Sequence, residues 1–328
     1  MPPPRTLARL MGIDPVRRQS LISLSSTLIL TAVGFVATMY FAHALGEVAY
    51  GIFSLFLAYY GIFNLVGDGG FGGAAVKRIS EGKDQDAYFT AFLLLRVALL
   101  AVSVVVVLAL SDLLTADGTS SMVPWLIIAL IFGVLAGVLG NGLYGEGMIG
   151  ASQTANLLNN VVKVLIQVIA VLLGYGIAGL VGGFVFGMFV GSLFCLRYIH
   201  LRLARFTTAH LKNLLAFSFW IFLTSSGAMV FSHADTILIG YFMSPADVGV
   251  YRIAFQFTTA ATFTTMALHT TLYPKISRWH TRGALDLVKL SLSRAFTYSL
   301  LLAVPVAVGG WILGDRLLYF FYGAGFAA

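Results

Sequence analysis

Six polar residues, Ser152, Asn156, Asn159, Asn160, Lys163 and Gln167, recur mostly three or four apart in a segment otherwise built from Val, Leu, Ile and Ala. That spacing sets them on one face of a helix. A lysine half way along an apolar span costs roughly 2.5–3.5 kcal/mol to insert unless it meets water, a partner or a ligand. A whole polar face beside it argues for water, so this helix is expected to line a cavity. The chemistry on offer is binding.

Other polar faces follow the same spacing. Arg96 has Ser103 seven residues on, and Arg252 leads Gln256, Thr259, Thr262, Thr265 and His269. Ser20, Ser23, Thr27, Thr31, Gly34 and Thr38 form a further stripe, as do Ser218, Ser225 and Ser232, with Asp235 three further on. Serines and threonines in such helices also bond their own backbone, which makes these last two stripes equally readable as structure. Arg252 lies about one turn from a helix end and can snorkel to headgroups. Arg96 lies about 12 Å from its nearer end at 1.5 Å per residue, too deep for that. Arg96, Lys163, Asn156, Asn159, Gln167, Arg252 and Gln256 are therefore the candidate cavity residues. Asp235 sits at the depth of Arg252, which predicts a structural Asp235–Arg252 ion pair.

Catalytic patterns are missing. His233 and His269 are single histidines with no second ligand at metal spacing and read as hydrogen-bonded core residues. The run Gly67–Gly73 (GDGGFGG) has no following Lys-Ser or Lys-Thr and is no phosphate loop. It reads as a helix break with Asp68 as a local cap. With no nucleophile–base pair, paired carboxylates or metal cluster, the chain is expected to be neither an enzyme nor the holder of a cofactor.

The elements that position these residues are membrane spans. Of 328 residues, 59% are hydrophobic and 10% charged, and mean hydropathy is +0.92; a soluble domain carries about 25% charged residues. Spans of about 20 residues are predicted near 20–43, 48–66, 88–111, 122–143, 152–173, 176–197, 214–241, 248–272 and 292–314. The first carries no cleavage signature and reads as retained. The fourth and sixth are apolar and glycine-rich, as in Gly133–Gly137 and Gly183–Gly187–Gly191, a spacing that permits close helix contact. Cys195 is the single cysteine and can form no intrachain disulfide.

Lys and Arg cluster before the first span and after the second, sixth and eighth, while the connections near Gly46, Asp112, Gly174 and Asp247 hold none. The positive-inside rule then places the N-terminus in the cytoplasm. The net charge of +7 needs no nucleic-acid partner.

The chain also repeats at a shift of about 198 residues. Leu45–Phe53 (LGEVAYGIF) lies over Met243–Tyr251 (MSPADVGVY), and Val76–Ser80 (VKRIS) over Tyr273–Ser277 (YPKIS). Six spans separate the copies, so the repeats run parallel, related by an axis along the membrane normal. The expected organisation is all-α: a six-helix lobe over 1–205 and an incomplete second lobe over 206–328. By the same arithmetic the second copy would lack about the last 70 residues of the first, which suggests a truncated gene product or fragment.

Ala44–Gly82 resembles the opening of polysaccharide and O-antigen lipid flippases, of the multidrug/oligosaccharidyl-lipid/polysaccharide exporter superfamily. Asp235–Phe257 and Leu272–Arg278 resemble the start of that family's second half, and Leu317–Phe326 a later stretch. The resemblance implies two six-helix lobes around a central cavity, and movement of an isoprenoid-linked oligosaccharide to the outer leaflet by alternating access. It also implies work beside polysaccharide polymerases or glycosyltransferases. Arg252 falls at the family's Tyr-Arg position; Arg96 and Lys163 match no family motif and rest on the need of a diphosphate for positive charge where water is scarce. Alternatives are a drug or cation exporter of the same superfamily, whose cavity should favour acids, and a truncated member that transports nothing.

Overall fold

The computed structural model describes residues 15–114, 122–256 and 283–326, with 258, 272, 275, 276 and 279 between them, and side chains from Thr31 onward except 113, 302 and 324. Among the described residues there is no strand. The helices are α1 (Pro15–Asp68), α2 (Phe71–Ser80), α3 (Gln85–Ala109), α4 (Met122–Gly145), α5 (Ile149–Leu172), α6 (Gly176–Tyr198), α7 (Thr208–Phe242), α8 (described over 245–256) and α9 (Leu285–Tyr322), with a single turn at Ser111–Leu114 and a 3-10 turn at Ala324–Phe326. Seven of them, α1 from Thr31 together with α3, α4, α5, α6, α7 and α9, are long and apolar enough to cross a membrane.

The first two expected spans are the two arms of α1. Gly46 breaks its helical geometry at φ 79°, ψ 173°, a left-handed φ that a side chain would resist. A straight run of its 54 residues would extend about 80 Å, far beyond a hydrocarbon core of about 30 Å. The arms are therefore separate crossings. The glycine run at the other end of the second arm breaks it as expected, with Gly69 and Gly70 at φ 56° and 76°. The chain then resumes as α2, which buries Phe71, Ala74, Ala75 and Ile79. The rest of the eighth span lies outside the described residues.

Glycine decides which helices form the centre. α4 and α6 are the most enclosed spans. Leu126, Ala129 and Leu130 of α4 pack with Leu180, Val181 and Val185 of α6 and with Phe53, Leu55 and Phe56 of the second arm. α5 lies against α6, where Gly183 and Gly187 leave no room for a side chain: a methyl on Gly187 would stand 2.7 Å from the Asn159 carbonyl oxygen. At the basic end, α2, α3 and α4 share a second apolar cluster with Leu214 of α7.

The connection from α6 to α7 is a pinned strap. The backbone N–H of His200 donates to the Glu146 carboxylate at 3.2 and 3.3 Å. That of Arg202 donates to Asp86 Oδ1 at 2.9 Å, and that of Ala204 to Thr90 Oγ1 at 2.9 Å. These extended residues make no ladder of their own, so side chains from the ends of α3 and α4 satisfy them. α7 then starts with a reciprocal cap between Thr207 and His210.

Candidate binding site

The polar stripe of α5 divides into two rows. In one, Asn160 Nδ2 donates to Asn156 Oδ1 at 3.0 Å, and Lys163 Nζ donates to Asn160 Oδ1 at 2.9 Å. Asn156 is exposed, while Asn160 and Lys163 are half-buried. An ammonium has three donors, and this ladder uses one of Lys163's while aligning the amides beside it. In the other row, Asn159 and Gln167 turn to α6. Gln167 is 3% exposed, and its Nε2 donates to the Leu180 carbonyl at 2.7 Å. Gln167 is thus a bond between two helices and not a cavity residue, because α6 leans across the stripe there.

Below Lys163 the stripe borders a cavity of about 290 Å³ between α4, α5 and α6. Gly137, Asn141, Tyr144, Ser152, Asn156 and Asn159 contribute to its lining. Ser152 Oγ reaches the Gly140 carbonyl at 3.4 Å, tying α5 to α4 at its rim. Among the described residues, no group of three or more His, Cys, Asp or Glu could hold a metal.

Arg96 departs from the expectation of a cavity residue. It is 1% exposed, and its Nη1 lies 3.1 Å from Asp68 Oδ1. Asp68 does cap α2, accepting the Gly72 N–H at 3.3 Å through Oδ2, but its other oxygen is the counter-charge of Arg96. Arg96 Nε and Nη1 have no aligned hydrogen-bond acceptor. Charge proximity therefore holds the pair more than directed bonding. A guanidinium enclosed in helices needs such a counter-ion, and the break at Gly69–Gly70 brings it.

The expected Asp235–Arg252 ion pair does not form. Asp235 accepts the hydroxyl of Tyr251, while Arg252 Nη1 reaches the Ser232 carbonyl at 3.5 Å and its guanidinium lies 5.7 Å from the Phe255 ring centre. The neighbour in sequence captures the acid because one helical residue is a turn of about 100°, so Tyr251 and Arg252 cannot both face it. Gln256 is half-buried at the end of the described part of α8. Thr259, Thr262, Thr265 and His269 lie outside the described residues, as do the side chains of Ser20, Ser23 and Thr27. His233 packs against Gly61 of the second arm, with Nδ1 buried and without a partner. Lys163, Arg96 and Arg252 thus rest on three separate sets of partners.

These helical hairpins, with one deep lysine on an open polar face, define a polytopic membrane protein. Residues 16–280 match the family described as polysaccharide biosynthesis protein, and the chain belongs to that family. It is similar to two Haloferax volcanii proteins, the probable low-salt glycan biosynthesis flippase Agl15 and the probable flippase AglR. Agl15 is 25% identical over 292 residues, 89% of this chain and 62% of the relative. AglR is 25% identical over 307 residues, 92% and 63%. The chain therefore spans a little over three fifths of the curated relatives it matches. Its fold resembles the lipid II flippase MurJ in an inward closed conformation, with TM-score 0.74 at 17% identity over 92% of this chain and 67% of that one. It also resembles an inward-facing MATE family multidrug transporter of the MOP superfamily, with TM-score 0.69 at 19% identity over 91% and 73%. The chain shares the fold of these two transporters, as the sequence resemblance implied.

Proposed function

We propose that the protein acts in a flippase that carries an isoprenoid-linked oligosaccharide from the cytoplasmic to the outer leaflet of the cell membrane by alternating access. The lobe over 1–205 and the helices over 206–328 are the two bodies that move, and the basic ends face the cytoplasm. Lys163 carries this reading: it is the deep cation on an open face, with its amides already aligned. A diphosphate linker offers several acceptor oxygens and negative charge to such a site. Arg96 takes no direct part, being neutralised by Asp68. That neutral pair leaves an excess of positive charge at Lys163, which favours an anionic substrate over the cationic one of a drug exporter. Polymerases and glycosyltransferases of glycan assembly are the partners such a flippase would serve.

The test is translocation of a fluorescent polyprenyl-diphosphate oligosaccharide in proteoliposomes. Lys163→Ala should abolish it and Lys163→Arg retain part, since a mobile phosphate needs charge more than a particular fork of donors. Parental rates in Lys163→Ala overturn the reading.

A further inference from the structure

The second arm of α1 and the start of α8 meet at their outer ends through two glycines that the repeat makes equivalent. A methyl on Gly51 would fall on the Pro245 carbonyl oxygen, and a methyl on Gly249 would fall on the Glu47 carbonyl oxygen. Each would also stand close to the other glycine's amide nitrogen, at 3.0 Å from Gly249 N and 3.2 Å from Gly51 N. Glu47 and Pro245 are 198 residues apart, and so are Gly51 and Gly249. The contact is therefore reciprocal, as across a two-fold axis.

Two further contacts close over the same spot. The Glu47 carboxylate lies directly on Gly325, leaving no space for a side chain there. Tyr322 and Phe326 are buried with Ala42 of the first arm and Ile253 of α8. The turn that follows α9 thus covers the crossing from above.

We propose that Gly51 and Gly249 form a backbone seal that shuts the space between the two halves toward the outer face, latched by Glu47 against the 323–326 turn. Bare glycines suit a seal that must part and reform. They offer Cα hydrogens to facing carbonyls and interlock no side chains, so separation strands no buried group. The purpose of the seal rests on the alternating-access reading; its geometry does not.

The test uses a Cys195→Ser background and a reporter, Ala58→Cys. Ala58 is fully buried and lies two turns, about 10 Å, below Gly51 on the same helical face. In intact cells a membrane-impermeant thiol reagent should leave this reporter unlabelled. Adding Gly51→Ala or Gly249→Ala should raise labelling from outside by about tenfold or more, because neither seal can close around a methyl. Unchanged labelling in both inserted alanine variants overturns the seal. If the variants fail to insert, spin labels at Val48 and Asp247 read the same helix ends with both glycines intact. One narrow, short distance supports the seal, and a broad, long distribution overturns it. Labelling needs no transport, so a chain that moves no lipid can still pass, while transport with unchanged labelling defeats the seal alone.

Discussion

Arg96 and Asp68 form an ion pair, 3.1 Å between Nη1 and Oδ1, that joins the middle of α3 to the break between α1 and α2. Twenty-seven residues of chain separate them, and the pair adds a charged tie to the apolar cluster that α2 and α3 already share.

Removing one partner should therefore cost more than removing both. Asp68→Asn leaves a charge enclosed among helices and should destabilise by about 3 kcal/mol, the lower end for a broken buried pair because Asp68 keeps some solvent contact. Arg96→Met with Asp68→Leu should recover much of that loss. Thermal unfolding in detergent measures both, and a double variant no better than Asp68→Asn contradicts the pairing.

The amide ladder makes a second prediction. Asn160→Leu removes the acceptor that aligns Lys163 without removing the charge. Flipping should fall part of the way toward the Lys163→Ala level, with membrane insertion unchanged. A full parental rate would mean that Lys163 needs no alignment.

Close packing of α5 on α6 is the third. Gly187→Val places methyls against Asn159 and Lys163 Cβ and should cost about 1–3 kcal/mol as overpacking. Gln167→Leu loses one interhelical bond, worth about 0.6–2 kcal/mol in a membrane. Fluorescence-detected size exclusion after heating should rank Gly187→Val below Gln167→Leu.

Topology supplies the fourth. Single cysteines at Ser80, Arg205 and Arg282 should label only from the cytoplasm, and those at Gly46, Asp117 and Asp247 only from outside. The native thiol is buried, so background should be low. Labelling of two inner positions from outside would overturn the orientation.

The spans were legible because membrane insertion writes them directly into composition: an apolar run of about 20 residues has few other uses. The hairpin at Gly46 and the break at Gly69–Gly70 were legible as glycines between such runs. The α5 stripe was legible as a period, but its division was not. Gln167 is in line with Asn160 along the helix, and only the path of α6 across it decides that one is covered and the other only half-buried. The counter-ion of Arg96 was hidden for a similar reason. Asp68 already had a local use as a cap, and nothing in linear spacing signals that its second oxygen faces another helix. Tyr251 displaced Arg252 from Asp235 because depth in the membrane fixes height and leaves rotation about the helix axis free.

The strap after α6 sets where bending can occur. Its N–H groups at 200, 202 and 204 are held by side chains of the preceding helices, so it travels with them as if it were part of their framework. The reciprocal Thr207–His210 cap does the same for the base of α7. Between those two fixtures Phe206 packs against the apolar cluster of α2, α3 and α4, and just beyond them Asn213 Nδ2 donates to the Tyr88 hydroxyl of α3 at 3.0 Å. The base of α7 is therefore fastened to the first lobe as far as Leu214, and any tilt of α7 against that lobe must bend the helix beyond this anchor and not at the strap.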